Sequence, residues 1–275
     1  MPRPLRLALG GGCYHVINRG NGRVVVFHKE ADFLAFERIL SLACERIPMR
    51  LLGWCFMHNH FHLVLWPYND GDLARWMQWV TTCHVRRYHR HYKGSGHVWQ
   101  GRYKCFPCQP RGPLMSVLRY VERNPVRAGL VKRAQDWRFS SAAAAGSGEM
   151  GSGSANAVPA RPTKPLRSGD PLVSARPEKG SGTATARSQT PFQEPDPDEP
   201  AKPLAHWLVR GPAERPEPWL RFVNRQEEAE ELTRLRECVN RGSPFGDDKW
   251  RENAAMKLGL ESTIRPRGRP RKEIK

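Results

Sequence analysis

The apolar positions of the first 140 residues switch between two periods, and the switches mark the elements. Residues 14–18 read as a strand, followed by a Gly/Arg loop at 19–23 and a short extended segment at 24–27. Over 32–46 the spacing becomes helical, with Phe33, Phe36, Leu40 and Ala43 on one face. Residues 50–56 and 60–66 are two apolar strands divided by the tight Met57-His58-Asn59. Residues 72–92 predict a second helix, turning Leu73, Trp76, Val80 and Cys83 inward and Arg86, Arg87 and Arg90 outward. A fourth short strand follows at 103–107. A third helix at 113–124 is opened by Gly112-Pro113 and stopped by Pro125. The order β-α-β-β-α-β plus a following helix specifies an α+β fold, a ferredoxin-like sandwich with an antiparallel sheet and helices on one face.

Beyond residue 141 the pattern stops. Residues 142–205 are Ala, Gly, Ser and Pro with scattered charges, a composition that buries too little apolar surface to offset its ordering entropy. This segment is expected to be a disordered low-complexity linker. Two helical patterns return at 227–240 and 247–258, before a Pro/Arg-rich end. The expected organisation is therefore a folded α+β domain at 1–141, a linker at 142–205, and a small helical C-terminal extension at 206–275.

Charge separates the same three parts. Residues 1–140 hold 22 basic and 8 acidic side chains, residues 141–205 hold 7 of each, and residues 206–275 hold 16 and 12, giving the +18 of the 275-residue chain. So large an excess points to a polyanion, nucleic acid or an anionic membrane. No apolar run approaches ~18 residues, which argues against a membrane span. The N-terminal apolar stretch is too short for a signal peptide. Seven Cys at irregular spacing read as reduced thiols. A cytoplasmic, nucleoid-associated protein is the expectation.

The chemistry concentrates where nine of the ten His and all six Tyr lie, in the first 120 residues. In a strand, His60 and His62 project to one face while Phe61 points to the other, so the two imidazoles are a candidate metal pair. His58 shares their parity, and a 58/60 pairing is the competing register. His-Glu-x-x-His is absent, and Cys105-Phe-Pro-Cys108 is one C-x-x-C without a second. Tyr120 and Asn124, four apart, share a helix face, placing a phenol nucleophile beside an amide ligand suited to Mg²⁺ or Mn²⁺. Arg86, Arg87 and Arg90, with Arg102 and Lys104 near the fourth strand, are candidate phosphate contacts. Trp99 and Tyr103 are either base-stacking platforms or core residues. Pro266-Arg267-Gly268-Arg269-Pro270 has the core of an AT-hook, in which Arg267 and Arg269 would enter an A·T-rich minor groove.

Four motifs taken together resemble the REP-associated tyrosine transposases, relatives of the single-tyrosine transposases of small insertion sequences. They are His60-Phe61-His62, residues 98–104 (VWQGRYK), residues 119–131 (RYVERNPVRAGLV) and residues 137–141 (WRFSS). The resemblance covers about residues 10–141, and residues 241–263 resemble the tail of many such proteins. One departure is His58, where the family usually has Pro. The resemblance implies a metal-dependent endonuclease and strand transferase acting on single-stranded or hairpin DNA at repeats, as a monomer or homodimer. By motif, His60 and His62 would be the metal pair, Asn124 the third ligand, and Tyr120 the nucleophile that forms a 5′-phosphotyrosine. Two other readings share these residues. One is a non-catalytic hairpin DNA- or RNA-binding protein of the same fold, and the other is a hydrolytic nuclease in which Tyr120 only packs.

Overall fold

Alternation along the strands decides which layer covers each face of the sheet. The computed structural model describes residues 8–146 and 200–265. Its sheet holds β1 (Cys13–Arg19), β2 (Met49–Met57), β3 (His60–Pro67) and β4 (Lys104–Cys108), all antiparallel, in the order β2-β3-β1-β4. That is the ferredoxin-like order. Val16, Phe56, Phe61 and Leu63 face the two crossover helices, α1 (Glu30–Arg46) and α2 (Asp72–Tyr92). Cys13, Cys55, Val64 and Phe106 face the other way, onto α3 (Gly112–Glu122) and the chain beyond residue 200. The crossover helices thus share one face as expected, while the third helix covers the opposite one. The segment at 24–27 forms no strand, and the N–H groups of Val26 and Phe27 instead both donate to the His58 carbonyl, at 2.8 and 2.9 Å.

Two local features set α3 on the sheet. A bulge in β2 between Leu51 and Gly53 brings Gly53 under the helix, where a Cβ would stand 2.8 Å from Cδ2 of Leu118. A side chain at this position would push the end of Leu118 aside. Pro125, in turn, does not stop the helix. Arg123 remains in the right-handed helical region and α4 (Asn124–Arg127) adds one more turn, closed by Ala128 N–H to Asn124 O at 3.0 Å. Proline is tolerated because it occupies the first turn of α4, where its missing N–H has no intrahelical partner to lose.

Further along are α5 (Ser141–Gly146), α6 (Trp219–Asn224), α7 (Ala229–Arg241), α8 (Asp248–Leu258) and α9 (Glu261–Ile264). The elements after residue 200 dock onto α3 and α4 through an apolar cluster that includes Trp219, Val223 and Leu235, and through buried carboxylates on both sides. Glu122, 0% exposed, accepts from Ser141 Oγ (2.6 Å) and Trp219 Nε1 (2.8 Å), with the Arg215 guanidinium 3.8 Å away. Glu227 binds Arg127 at 2.5 Å and Arg123 at 3.4 Å, and Glu231 pairs with Arg119. Of the linker expected over 142–205, residues 147–199 lie outside the described residues, as does the AT-hook with Arg267 and Arg269. Both of its ends, by contrast, are ordered: residues 142–146 belong to α5, and Leu204 is buried in the core because its apolar side chain finds a place beside α1. Among the described residues, no helix is long and apolar enough to cross a membrane.

Candidate functional site

A pocket of about 320 Å³ opens on the α3 side of the sheet. Strand parity brings Ile17, Arg19, His60 and His62 to its floor, the α3–α4 junction contributes Tyr120, Asn124, Arg127 and Ala128, and α7 contributes Arg236, Val239 and Asn240. The four residues singled out by strand and helix spacing therefore meet in one place. His58 does not. Its Nδ1 donates to the Phe27 carbonyl at 3.2 Å, and its ring lies between Phe33 and Trp137.

The hydrogen bonds assign the tautomers of the pair. Asn59 gives its amide N–H to the Arg23 carbonyl (3.0 Å), so its Oδ1 accepts from Nδ1 of His60 (2.7 Å) and leaves Nε2 of His60 as a lone pair. His62 is bonded at both nitrogens, Nδ1 to Nε2 of His15 (2.8 Å) and Nε2 to the Asn124 amide nitrogen (2.9 Å). An amide nitrogen only donates, so Nε2 of His62 accepts and its Nδ1–H is given to His15. Burial, with Arg19 adding to it, holds the pKa of His60 down to about 4. Burial, reinforced by His60, His15, Arg127 and Arg19, holds His62 well below its ordinary value. Both rings are neutral at physiological pH and turn lone pairs toward one amide. The two imidazoles could hold a divalent ion, and Asn124 could add its oxygen as a third ligand by turning over the amide that here gives its nitrogen to His62. Among the described residues, no cluster of three or more His, Cys, Asp or Glu offers an alternative.

Tyr120 stands edge-on to His62, ring centroids 5.8 Å apart, and is buried. Burial raises its pKa, against which Arg127, Arg236 and Arg19 pull downward. The Arg127 guanidinium lies 4.2 Å over the phenol ring, donates to the Tyr120 carbonyl (2.6 Å) and is held from behind by Glu227.

Other expected contacts fall elsewhere. Arg86, Arg87 and Arg90 lie on α2, in the layer across the sheet from the pocket, and Arg87 is ion-paired with Asp32 at 3.5 Å. Arg102 and Lys104 are exposed, and Lys104 is the cross-strand neighbour of Ile17, so it shares the pocket's face. The rings of Trp99 and Tyr103 are buried in the α1–α2 core, Trp99 edge-on to Phe61 at 5.2 Å. Cys105 and Cys108 are free thiols. Sequence reasoning missed His15, Arg19, Arg127, Arg236 and Asn240. Only Arg127 had a local signal, since it lies two helical turns beyond Tyr120.

Residues 11–124 match the family described as "Transposase IS200 like". A REP-associated tyrosine transposase of Escherichia coli is 25% identical over 134 residues, spanning 48% of this chain and 76% of that protein. A protein of Haemophilus influenzae provisionally given the same name is 27% identical over 117 residues, spanning 38% of this chain and 66% of its own length, just under two thirds. A solved structure of a REP-associated tyrosine transposase bound to a REP hairpin aligns with a TM-score of 0.41 at 20% identity, over 51% of this chain and 81% of that one. Residues 11–124 are thus similar to the IS200-like transposases, and the chain is related in sequence to the REP-associated tyrosine transposases.

Proposed function

We propose that the protein is a metal-dependent tyrosine endonuclease and strand transferase acting on single-stranded, hairpin-forming repeat DNA. The observation that carries this reading is the meeting of Tyr120 with His60, His62 and Asn124 in one open, arginine-lined pocket. His60, His62 and the Asn124 oxygen would hold a divalent ion, which when bound supplies Lewis-acid polarisation of a phosphate. Two imidazoles weigh the choice between Mg²⁺ and Mn²⁺ toward Mn²⁺.

The chain's own groups do the rest. The Tyr120 oxygen attacks phosphorus as its proton leaves, forming the Tyr–O–P bond and breaking the bond to the 3′ oxygen, which departs as a 3′-OH after protonation. Its burial opposes loss of that proton, and Arg127 over the ring favours the phenolate. The 5′-phosphotyrosine keeps the phosphodiester's energy and allows rejoining without a nucleotide cofactor. A·T-rich duplex held by the segment at 266–270 and a cytoplasmic, nucleoid-associated location belong to the same reading.

The test is incubation with a labelled hairpin oligonucleotide and Mn²⁺ or Mg²⁺, followed by denaturing electrophoresis. A protein-linked band that disappears in Tyr120→Phe supports the reading. Cleavage without a linked band would make the enzyme hydrolytic, and binding without cleavage would make it a hairpin-binding protein.

A further inference from the structure

The arginines around the pocket fall into two groups. Arg119, Arg123 and Arg127 are each neutralised by Glu227 or Glu231 at the junction of α3, α4 and α7. Arg19 and Arg236 are not, and neither forms an ion pair with any described residue. Arg19 lies at the end of β1, and its Nε is buried without a hydrogen-bond partner. Arg236 lies on α7 with Val239 and Asn240, a spacing of three and four that turns all three to the pocket, while Leu235 and Cys238 on the adjoining face anchor the helix in the core. The pocket therefore has an unneutralised guanidinium on its floor and another on its α7 wall, with Tyr120 and the His pair lining the same space.

We propose that Arg236, with Arg19, contacts the phosphodiester presented to Tyr120, so that the C-terminal helix α7 forms part of the substrate-binding site. Guanidinium groups bind phosphate oxygens through paired N–H donors, and a buried donor with no partner in the free protein is one that a ligand can satisfy. The influence of both arginines on the Tyr120 hydroxyl is consistent with their charge reaching the place where phosphorus must stand. The proposal rests on the tyrosine reading above for what happens to the phosphate, but not for whether it is bound.

The experiment measures binding of a single-stranded hairpin oligonucleotide by fluorescence anisotropy, in EDTA, across a salt series. Full-length wild type, Arg236→Ala, Arg236→Lys and Lys257→Ala are compared, Lys257 being an exposed cation on α8. Arg236→Ala should weaken binding about five- to tenfold and flatten the slope of log affinity against log salt by about 0.7. Arg236→Lys should retain most of the slope, and Lys257→Ala should retain all of it. Equal affinity and slope for Arg236→Ala and wild type, or an equal loss in Lys257→Ala, overturns the proposal even if the Tyr120 adduct forms. A linked band persisting in Tyr120→Phe overturns the tyrosine reading instead, and the salt series still judges the arginines.

Discussion

Replacing Arg215 with methionine removes the cation that faces Glu122 while keeping an unbranched stem beside Trp219, over whose ring the guanidinium lies at 4.7 Å. The Arg215 side chain is 3% exposed and that of Glu122 is 0% exposed, at a separation of 3.8 Å. With an effective dielectric of about 20, the attraction lost is about 4 kcal/mol. A carboxylate stranded in this way escapes by taking a proton, which caps the cost at about 1.4 kcal/mol for each pH unit above its ordinary 4.5. The ceiling is about 3 kcal/mol at pH 7 and about 1 kcal/mol at pH 5. Losing the guanidinium's bond to the Leu52 carbonyl adds about 1 kcal/mol at either pH. Burial already raises the pKa of Glu122 in the wild type, so its contribution to stability is full below pH 4.5 and falls as pH rises through the folded-state value. Arg215→Met should steepen that fall. Thermal unfolding followed by circular dichroism should show a loss about 2 kcal/mol deeper at pH 7 than at pH 5, or roughly 4–8 °C in Tm. Adding Glu122→Gln should erase the difference between the two pH values. A loss equal at both pH values, or under about 2 °C at pH 7, would refute the reasoning.

Three further outcomes follow from the site. His60→Ala and His62→Ala should each abolish the protein-linked DNA band while the circular dichroism spectrum persists, whereas His58→Ala should leave most of it; loss in His58→Ala with His62→Ala silent would move the metal pair to His58 and His60. His15→Phe should weaken the apparent affinity for Mn²⁺ about 10–100-fold, read from the metal dependence of adduct formation, because it removes the acceptor that orients His62. Deleting residues 266–275 should weaken binding to A·T-rich duplex and spare cleavage of a short hairpin oligonucleotide; unchanged duplex affinity would discard the AT-hook.

The sheet was legible because each strand is a short apolar run bounded by turn residues, and β3 gave up its His pair through parity alone. The 72–92 helix was legible to the residue because α2 keeps its amphipathic spacing throughout. What escaped depends on contacts between distant segments. His15 sits in a strand whose residues from Cys13 to Asn18 are all buried, so burial does not alternate and nothing local marks one face as the active one. Its partner is set by the register that places Ile17 opposite His62. Asn124-Pro125 carried a stop signal, yet the fold uses proline as the opening of another turn, and that turn returns Arg127 to Tyr120. Arg236 and Asn240 carried no signal, because no spacing within α7 reveals that the helix closes a pocket built about 100 residues earlier.

The buried Glu122 also bears on how the chain is made. The match to the IS200-like family ends at Asn124, but the side of α3 that meets α6 and the carboxylate of Glu122 gain their full set of partners only once Arg215 and Trp219 join Ser141. A ribosome adding about 5–20 residues per second covers that distance in roughly 5–20 s. For that interval α3 covers the sheet while its own side toward α6 waits uncovered. A gene fragment cut at the domain's apparent boundary would make the wait permanent, yielding a polypeptide that exposes α3's greasy contact surface and aggregates. Expression trials should therefore retain the last seventy residues, even when only the hallmark motifs are wanted.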